Sequence, residues 1–192
     1  MRLLRVISII LLLSYTSASK IEFDRYNIDD GLSQNTVYEV FQDTRGYIWL
    51  GTQGGLDRFN GYDFKHYEHE SNDSSSIVNG WIRTINEDKN GLLWMGTLGG
   101  NLGWFDPYSE VGGEIDLYGK HPDFIKPRWI SDILFHGKYI FLTTLGSGLC
   151  RYNTSDGSTL WYSEDSTADY YIDEQNLNNV ISINDSEVLF GD

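Results

Sequence analysis

The residue types able to do chemistry are few and mostly isolated. His66-Tyr67-Glu68-His69-Glu70 gathers metal-ligand types in one stretch. On a strand, however, positions 66 and 69 point to opposite faces and do not share an ion unless the strand ends between them, so a solvated acidic strand end is expected. His121 and His136 have no ligand-type partner nearby in the chain. Cys150, the single cysteine, forms neither a disulfide nor a thiolate cluster; beside Arg151 on a strand it reads as a small buried hydrophobe. Ser147 in Leu145-Gly146-Ser147-Gly148 is one residue out of register for a nucleophile elbow. A phosphate loop, an HExxH motif, a dinucleotide fingerprint and calcium-loop spacing are absent from the sequence. No catalytic residue, metal or cofactor is expected.

Binding chemistry remains. Asn35, Asn79, Arg128 and Asn178 stand just ahead of four short runs with β-branched residues three apart: Val37 and Val40, Ile82 and Ile85, Ile130 and Ile133, Val180 and Ile183. Three amides and one cation at equivalent places suit a carbohydrate or another small polar ligand. The plainer reading, that Asn bends a loop leading into a strand, carries more weight at any single position. Composition narrows the partner further. With 28 acidic against 14 basic side chains the net charge is −14, which repels a phosphate backbone and argues against nucleic acid.

Those four runs belong to a repeat of about 45 residues. Gly46-Tyr47-Ile48-Trp49-Leu50-Gly51-Thr52 returns as Gly91-Leu92-Leu93-Trp94-Met95-Gly96-Thr97, then drifts to Tyr139-Ile140-Phe141-Leu142-Thr143-Thr144 and to Val188-Leu189-Phe190-Gly191. Phe141 and Leu189 stand where the first two copies have Trp. Each unit offers four short apolar and aromatic runs separated by Gly, Asn, Asp and Ser, without a sustained 3.6-residue period. Four strands in such a repeat make a β-propeller blade, so the expected fold is all-β, with about 3.5 to 4 blades in an open ring. The expected units are 35–69, 79–118, 128–162 and 178–192, preceded by a strand at 21–27 from a closing blade. The turns Asp43 to Gly46 and Asp88 to Gly91 join first and second strands, with Asp bonding its own backbone. The structural repeat positions are Trp49, Gly51, Thr52, Trp94, Gly96, Thr97, Phe141 and Thr144. The tryptophans are expected to be packed between blades rather than stacked on a ligand.

The first 18 residues, with Arg2 and Arg5, an apolar run over 6–13 and small residues at 16–19, read as a cleaved export signal. Residues 19–192 would then be an exported, periplasmic chain without a membrane segment.

Gly31-Leu32-Ser33-Gln34-Asn35-Thr36-Val37, Gln42-Asp43 with Gly46-Tyr47-Ile48-Trp49-Leu50-Gly51-Thr52, and Gly55-Leu56-Asp57-Arg58-Phe59-Asn60-Gly61-Tyr62 with Phe64 resemble the two-component regulator propeller repeat. The resemblance is strong over 23–67 and good over 77–106. It implies the N-terminal fragment of a periplasmic sensor region, as in bacterial hybrid histidine kinases and diguanylate cyclases. The kinase or cyclase module is not in this sequence, so the chain is expected to be a non-catalytic ligand sensor that meets the remaining propeller blades or a second receptor copy. Two alternatives stand beside it. One is an exported protein-interaction scaffold. The other is a sialidase-like glycoside hydrolase, which needs an arginine cluster drawn from Arg25, Arg45, Arg58, Arg83, Arg128 and Arg151.

Overall fold

The computed structural model describes residues 22–191 except 74, 79 and 120–122. The expected signal at 1–18, Ile21, Asn79 and His121 lie outside the described residues.

Short strands rich in Val, Ile, Trp, Tyr and Phe, each closed by a turn, pair in chain order. The first sheet is β1 (Val37–Gln42), β2 (Ile48–Thr52), β3 (Leu56–Phe59) and β4 (Phe64–Tyr67), all antiparallel. The second is β5 (Ile82–Glu87), β6 (Leu93–Thr97), β7 (Leu102–Asp106) and β8 (Val111–Ile115). The third is β9 (Trp129–His136), β10 (Tyr139–Leu145), β11 (Leu149–Asn153) and β12 (Thr159–Ser163), with β13 (Tyr170–Tyr171) added in parallel to β12. A hairpin of β14 (Asn179–Asn184) and β15 (Glu187–Gly191) follows. β1 packs on β5, β5 on β9, and β9 on β14, so the first strand of every unit faces a common hub. The fold is all-β, a row of propeller-like blades that does not close into a ring.

The core lies between sheets. Trp49 and Leu56 of the first blade are buried with Ile82, Ile85, Leu93, Met95 and Phe105 of the second. Trp94 and Leu102 of the second are buried with Ile130, Ile133, Ile140 and Leu142 of the third. Truncating a buried Trp of this kind costs about 3–5 kcal/mol. The repeat glycines exist for the same contact. A Cβ on Gly51 would meet Cγ2 and the carbonyl oxygen of Ile82 at 2.9 Å, and one on Gly96 would meet Cβ of Ile130 at 2.7 Å. The next blade's inner strand presses directly on these backbones.

Each tryptophan is also held from behind. Asp43 Oδ2 accepts from Trp49 Nε1 at 2.9 Å and Arg45 Nη2 at 2.9 Å, while Oδ1 accepts from the backbone N–H of Arg45 and Tyr47. Asp88 repeats this with Trp94 Nε1 at 3.4 Å and the N–H groups of Asn90 and Leu92. The turn aspartate thus joins hairpin geometry to core placement, beyond the self-bonding expected from the sequence. The repeat threonines donate to hairpin carbonyls: Thr52 to Gly55, Thr97 to Asn101, Thr144 to Gly148.

Three features differ from expectation. Residues 22–27 form no strand; Tyr26 instead sets its ring 4.9 Å from Phe59 and 5.7 Å from Phe64 at the outer edge of the first sheet. Phe141 is half-buried, its ring edge-on to His136 and Tyr139, because the neighbour on that side is a two-stranded hairpin. In the fourth unit the inward pair is Leu177 and Val180, both buried, whereas Ile181 and Ile183 are 55% and 58% exposed. In the first three units a bulge follows the first inward residue of the inner strand, at Tyr38, Arg83 and Ser131. Asn178 occupies that place in the fourth unit, since the Leu177 N–H bonds Thr144 O as the strand begins.

Two outcomes follow. Gly96→Val should lower stability by about 1–3 kcal/mol through overpacking against Ile130, read as a fall of several degrees in the thermal midpoint. Burial pushes the Asp43 carboxyl up, but the bonds from Trp49, Arg45 and Tyr47 together outweigh it and hold the group below the usual carboxylate value. Its stabilisation is therefore full at neutral pH and lost as pH falls through the folded value. Asp43→Asn should cost about 1–3 kcal/mol at pH 7, since an amide NH2 cannot face donors, and the gap to the parent should shrink in acid melts.

Candidate functional site

The site must be built on the inner strands, whose beginnings share one end of the hub. Asn35 is exposed and uses its Oδ1 to accept from Ile28 N–H at 3.2 Å, which bends the approach to β1. Arg128 is exposed, and its backbone links sheets: its carbonyl accepts from Gly99 N–H and its N–H donates to Leu145 O. Asn178 is exposed and its N–H donates to Gly191 O. Asn35 and Arg128 come two residues before the first inward residue of their strands, whereas Asn178 comes one after Leu177. The three described members are therefore not in one register.

A different set converges there. The bulges turn Tyr38, Arg83 and Ser131 out of the alternation of their strands. The Arg83 guanidinium lies 4.8 Å from the Tyr38 ring centre and 4.9 Å from that of Trp129, so one arginine spans three consecutive blades. Tyr38 also stacks on Trp81 at 6.1 Å with planes 15° apart, and Gln53 Nε2 reaches Tyr38 Oη at 3.4 Å. Beside them a cleft of about 260 Å³ is lined by Gln53, Gly54, Gly80 and Trp81, among others. Arg83 Nε and Ser131 Oγ are buried without a hydrogen-bond partner among the described residues. Glu39, near Asp132 and Arg83, is pushed above the ordinary carboxylate value mainly by burial, with Asp132 adding to the rise. Asp132 accepts from Ile133 N–H and, across to the next unit, from Val180 N–H at 3.0 Å. A larger hollow of about 650 Å³ lies at the other end of the strands, around Asp88, Trp94, Lys138 and Tyr139, where polar groups serve their own turns. The hub is the better candidate because donors there are left open.

The remaining chemistry-bearing residues are placed as follows. His66 Nδ1 is 2.9 Å from Asp57 Oδ1, and Asp57 also accepts from Ser33 Oγ at 2.6 Å. The aspartate sits between serine and histidine, which is the wrong order for a nucleophilic triad. His69 Nδ1 donates to Ile77 O instead, so the two histidines serve different partners. Ser147 is buried and donates to Ile125 O. Burial pushes the Cys150 thiol well above its usual value, with Asp169 contributing. The arginines divide: Arg45 and Arg58 meet at the Tyr47 ring, Arg83 lies between Tyr38 and Trp129, and Arg151 sits over Tyr139. Sequence reasoning overlooked the hub cluster because Tyr38, Arg83 and Ser131 share no residue type. The signal available was the residue immediately after each first inward Val or Ile.

Comparison with known proteins agrees with this architecture. The family model described as "Two component regulator propeller" matches residues 31–54 and 76–99. A histidine kinase of Formosa agariphila is 42% identical over 59 residues, which is 31% of this chain and 4% of that protein. The extracellular domain of a hybrid two-component system from B. thetaiotaomicron superposes with a TM-score of 0.73 at 20% identity, covering 88% of this chain and 23% of that one. A second such domain from the same organism gives 0.59 at 18% identity, covering 88% and 21%. The chain thus carries two-component regulator propeller repeats and spans less than a quarter of the solved domains it matches.

Glu39 provides a test of the hub's electrostatics. A carboxyl raised in the folded state weakens stability above its folded value and stops doing so as pH falls through it. Glu39→Gln should therefore raise the thermal midpoint at pH 7, with the advantage disappearing in melts at and below the ordinary carboxylate range.

Proposed function

We propose that this chain is the extracytoplasmic ligand-sensing segment of a two-component-type receptor and performs no catalysis itself. The observation that carries this reading is the Arg83 cluster, in which one side chain from the second blade is gripped by rings of the first and third. A ligand seated on it would change how three blades pack, which is a change that can be passed on. The repeats at 31–54 and 76–99 support the same reading. The ligand proposed is a carbohydrate or another small polar molecule, for which Trp81 and Trp129 supply aromatic surface and the exposed Asn35, Arg128 and Asn178 supply polar groups around the strand beginnings. Residues 1–18 would direct export to the periplasm.

A second reading concerns partners. Ile181, Ile183 and Leu189, all more than half exposed, give the β14–β15 hairpin an uncovered apolar face. We read it as the seat of a further propeller sheet, either from the same receptor or from a second copy. This is also the observation that favours the scaffold alternative.

Three measurements check these proposals. Alkaline phosphatase fused behind residues 1–25 should be active in the periplasm; an inactive cytoplasmic fusion removes the export reading. A thermal-shift panel of mono- and oligosaccharides on the purified chain should contain at least one stabilising sugar, while fluorogenic glycosides stay intact. Hydrolysis would favour the sialidase-like alternative. Leu189→Lys should reduce self-association measured by light scattering, and an unsubstituted chain that is strictly monomeric would count against a second copy on this face.

A further inference from the structure

We infer that Arg83 receives a carboxylate of the sensed ligand, which makes the ligand class an acidic sugar or another small carboxylic acid. The inference deepens the sensor reading and rests on it.

Among the described residues, Arg83 lacks the carboxylate partner that Arg45 and Arg58 have. In a chain with 28 acidic and 14 basic side chains, Arg45 is paired with Asp43 at 2.9 Å and Arg58 lies 3.9 Å from Glu110. Arg83 is partly buried, yet no described carboxylate lies within ion-pair distance of it and no described residue accepts a hydrogen bond from it. A buried donor left open costs free energy, and the cost is larger for a charged group. The guanidinium carbon lies 4.8 Å from the Tyr38 ring centre and 4.9 Å from that of Trp129, contacts that hold the cation without satisfying its N–H groups. The group that matches a guanidinium's planar fork is a carboxylate, which accepts two parallel bonds.

The next inner strand points to the same class. Ser131, at the equivalent bulge of β9 and two residues from Trp129, also buries a hydroxyl without a described partner. Arg83 and Ser131 can both donate to an ionised carboxylate, which only accepts. Glu39 and Asp132 lie on the same strands and would repel a bare anion. Both can accept from hydroxyls, which favours a hydroxylated acid over a simple one.

Calorimetric titration of the full chain with galacturonate, galactose and succinate tests this, with Arg83→Gln and Arg83→Lys as variants. Galacturonate is expected to bind at least about tenfold more tightly than galactose, the difference expected for a charge-assisted pair. Arg83→Gln should abolish that preference, and Arg83→Lys should weaken it by keeping the charge and losing the fork. Succinate binding as tightly as galacturonate would support the carboxylate and identify a simple acid as its source. Equal binding of galactose and galacturonate, or an acid preference that survives Arg83→Gln, would overturn the inference while leaving the sensor reading intact. Absence of binding by all three probes would overturn the inference as well. Near-ultraviolet circular dichroism of Arg83→Gln, unchanged in the Tyr and Trp region, shows that the variant is folded.

Discussion

Everything in this chain depends on the face-to-face contact between one sheet and the next. A four-stranded sheet with apolar side chains on both faces cannot satisfy itself, and each blade's tryptophan finds its cover only in the following blade. Trp49 is buried against Phe105 and Met95, and Trp94 against Ile133 and Ile140. The approach is close enough that the backbone beside each tryptophan must be glycine where Ile82 and Ile130 press on it. Because the contact repeats, it defines both a direction and a hub, and the inner strands have no other place to go.

The contact is reinforced where the chain turns. Asp43 and Asp88 use one oxygen for turn N–H groups and the other for an indole N–H, so a hairpin cannot change shape without moving a core ring. Links between sheets add to this. Thr44 donates to Glu87, Asn86 donates to Ile133 O, and Val180 N–H donates to Asp132. Gly99 and Leu98 extend the second sheet's loop to Arg128 O and Trp81 O. Neighbouring blades are therefore coupled by directional bonds as well as by area.

At the hub the same geometry moves side chains out of the core through a structural irregularity. A bulge adds one residue to the inner strand and turns its side chain away from the alternation that fills the core. Tyr38, Arg83 and Ser131 occupy these places, and Tyr38 and Arg83 pack on Trp81, Trp129 and each other rather than in the core between sheets. Their types differ from blade to blade. The open donors of Arg83 and Ser131 contrast with the first sheet, where Ser33, Asp57 and His66 satisfy one another.

Blade identity was legible in the sequence because each blade obeys local rules: alternating apolar runs, an aspartate-glycine turn and a repeated Trp-x-Gly-Thr. These depend on residues within a few positions of one another, and the Gly51 and Gly96 repeats already announced a close neighbour. The registers of Asn35, Arg128 and Asn178 were not legible, because Leu177 and Val180 have the same spacing as Val180 and Ile183, and only packing on the third sheet decides which pair turns inward. The strand expected at 21–27 failed for a related reason: a strand exists only with a partner, and Tyr26 found aromatic rings instead. The Arg83 site was invisible for the most physical of reasons. Tyr38, Arg83 and Trp129 are about 45 residues apart in the chain, and only the burial of tryptophans between sheets brings their rings to 4.8 and 4.9 Å from one guanidinium.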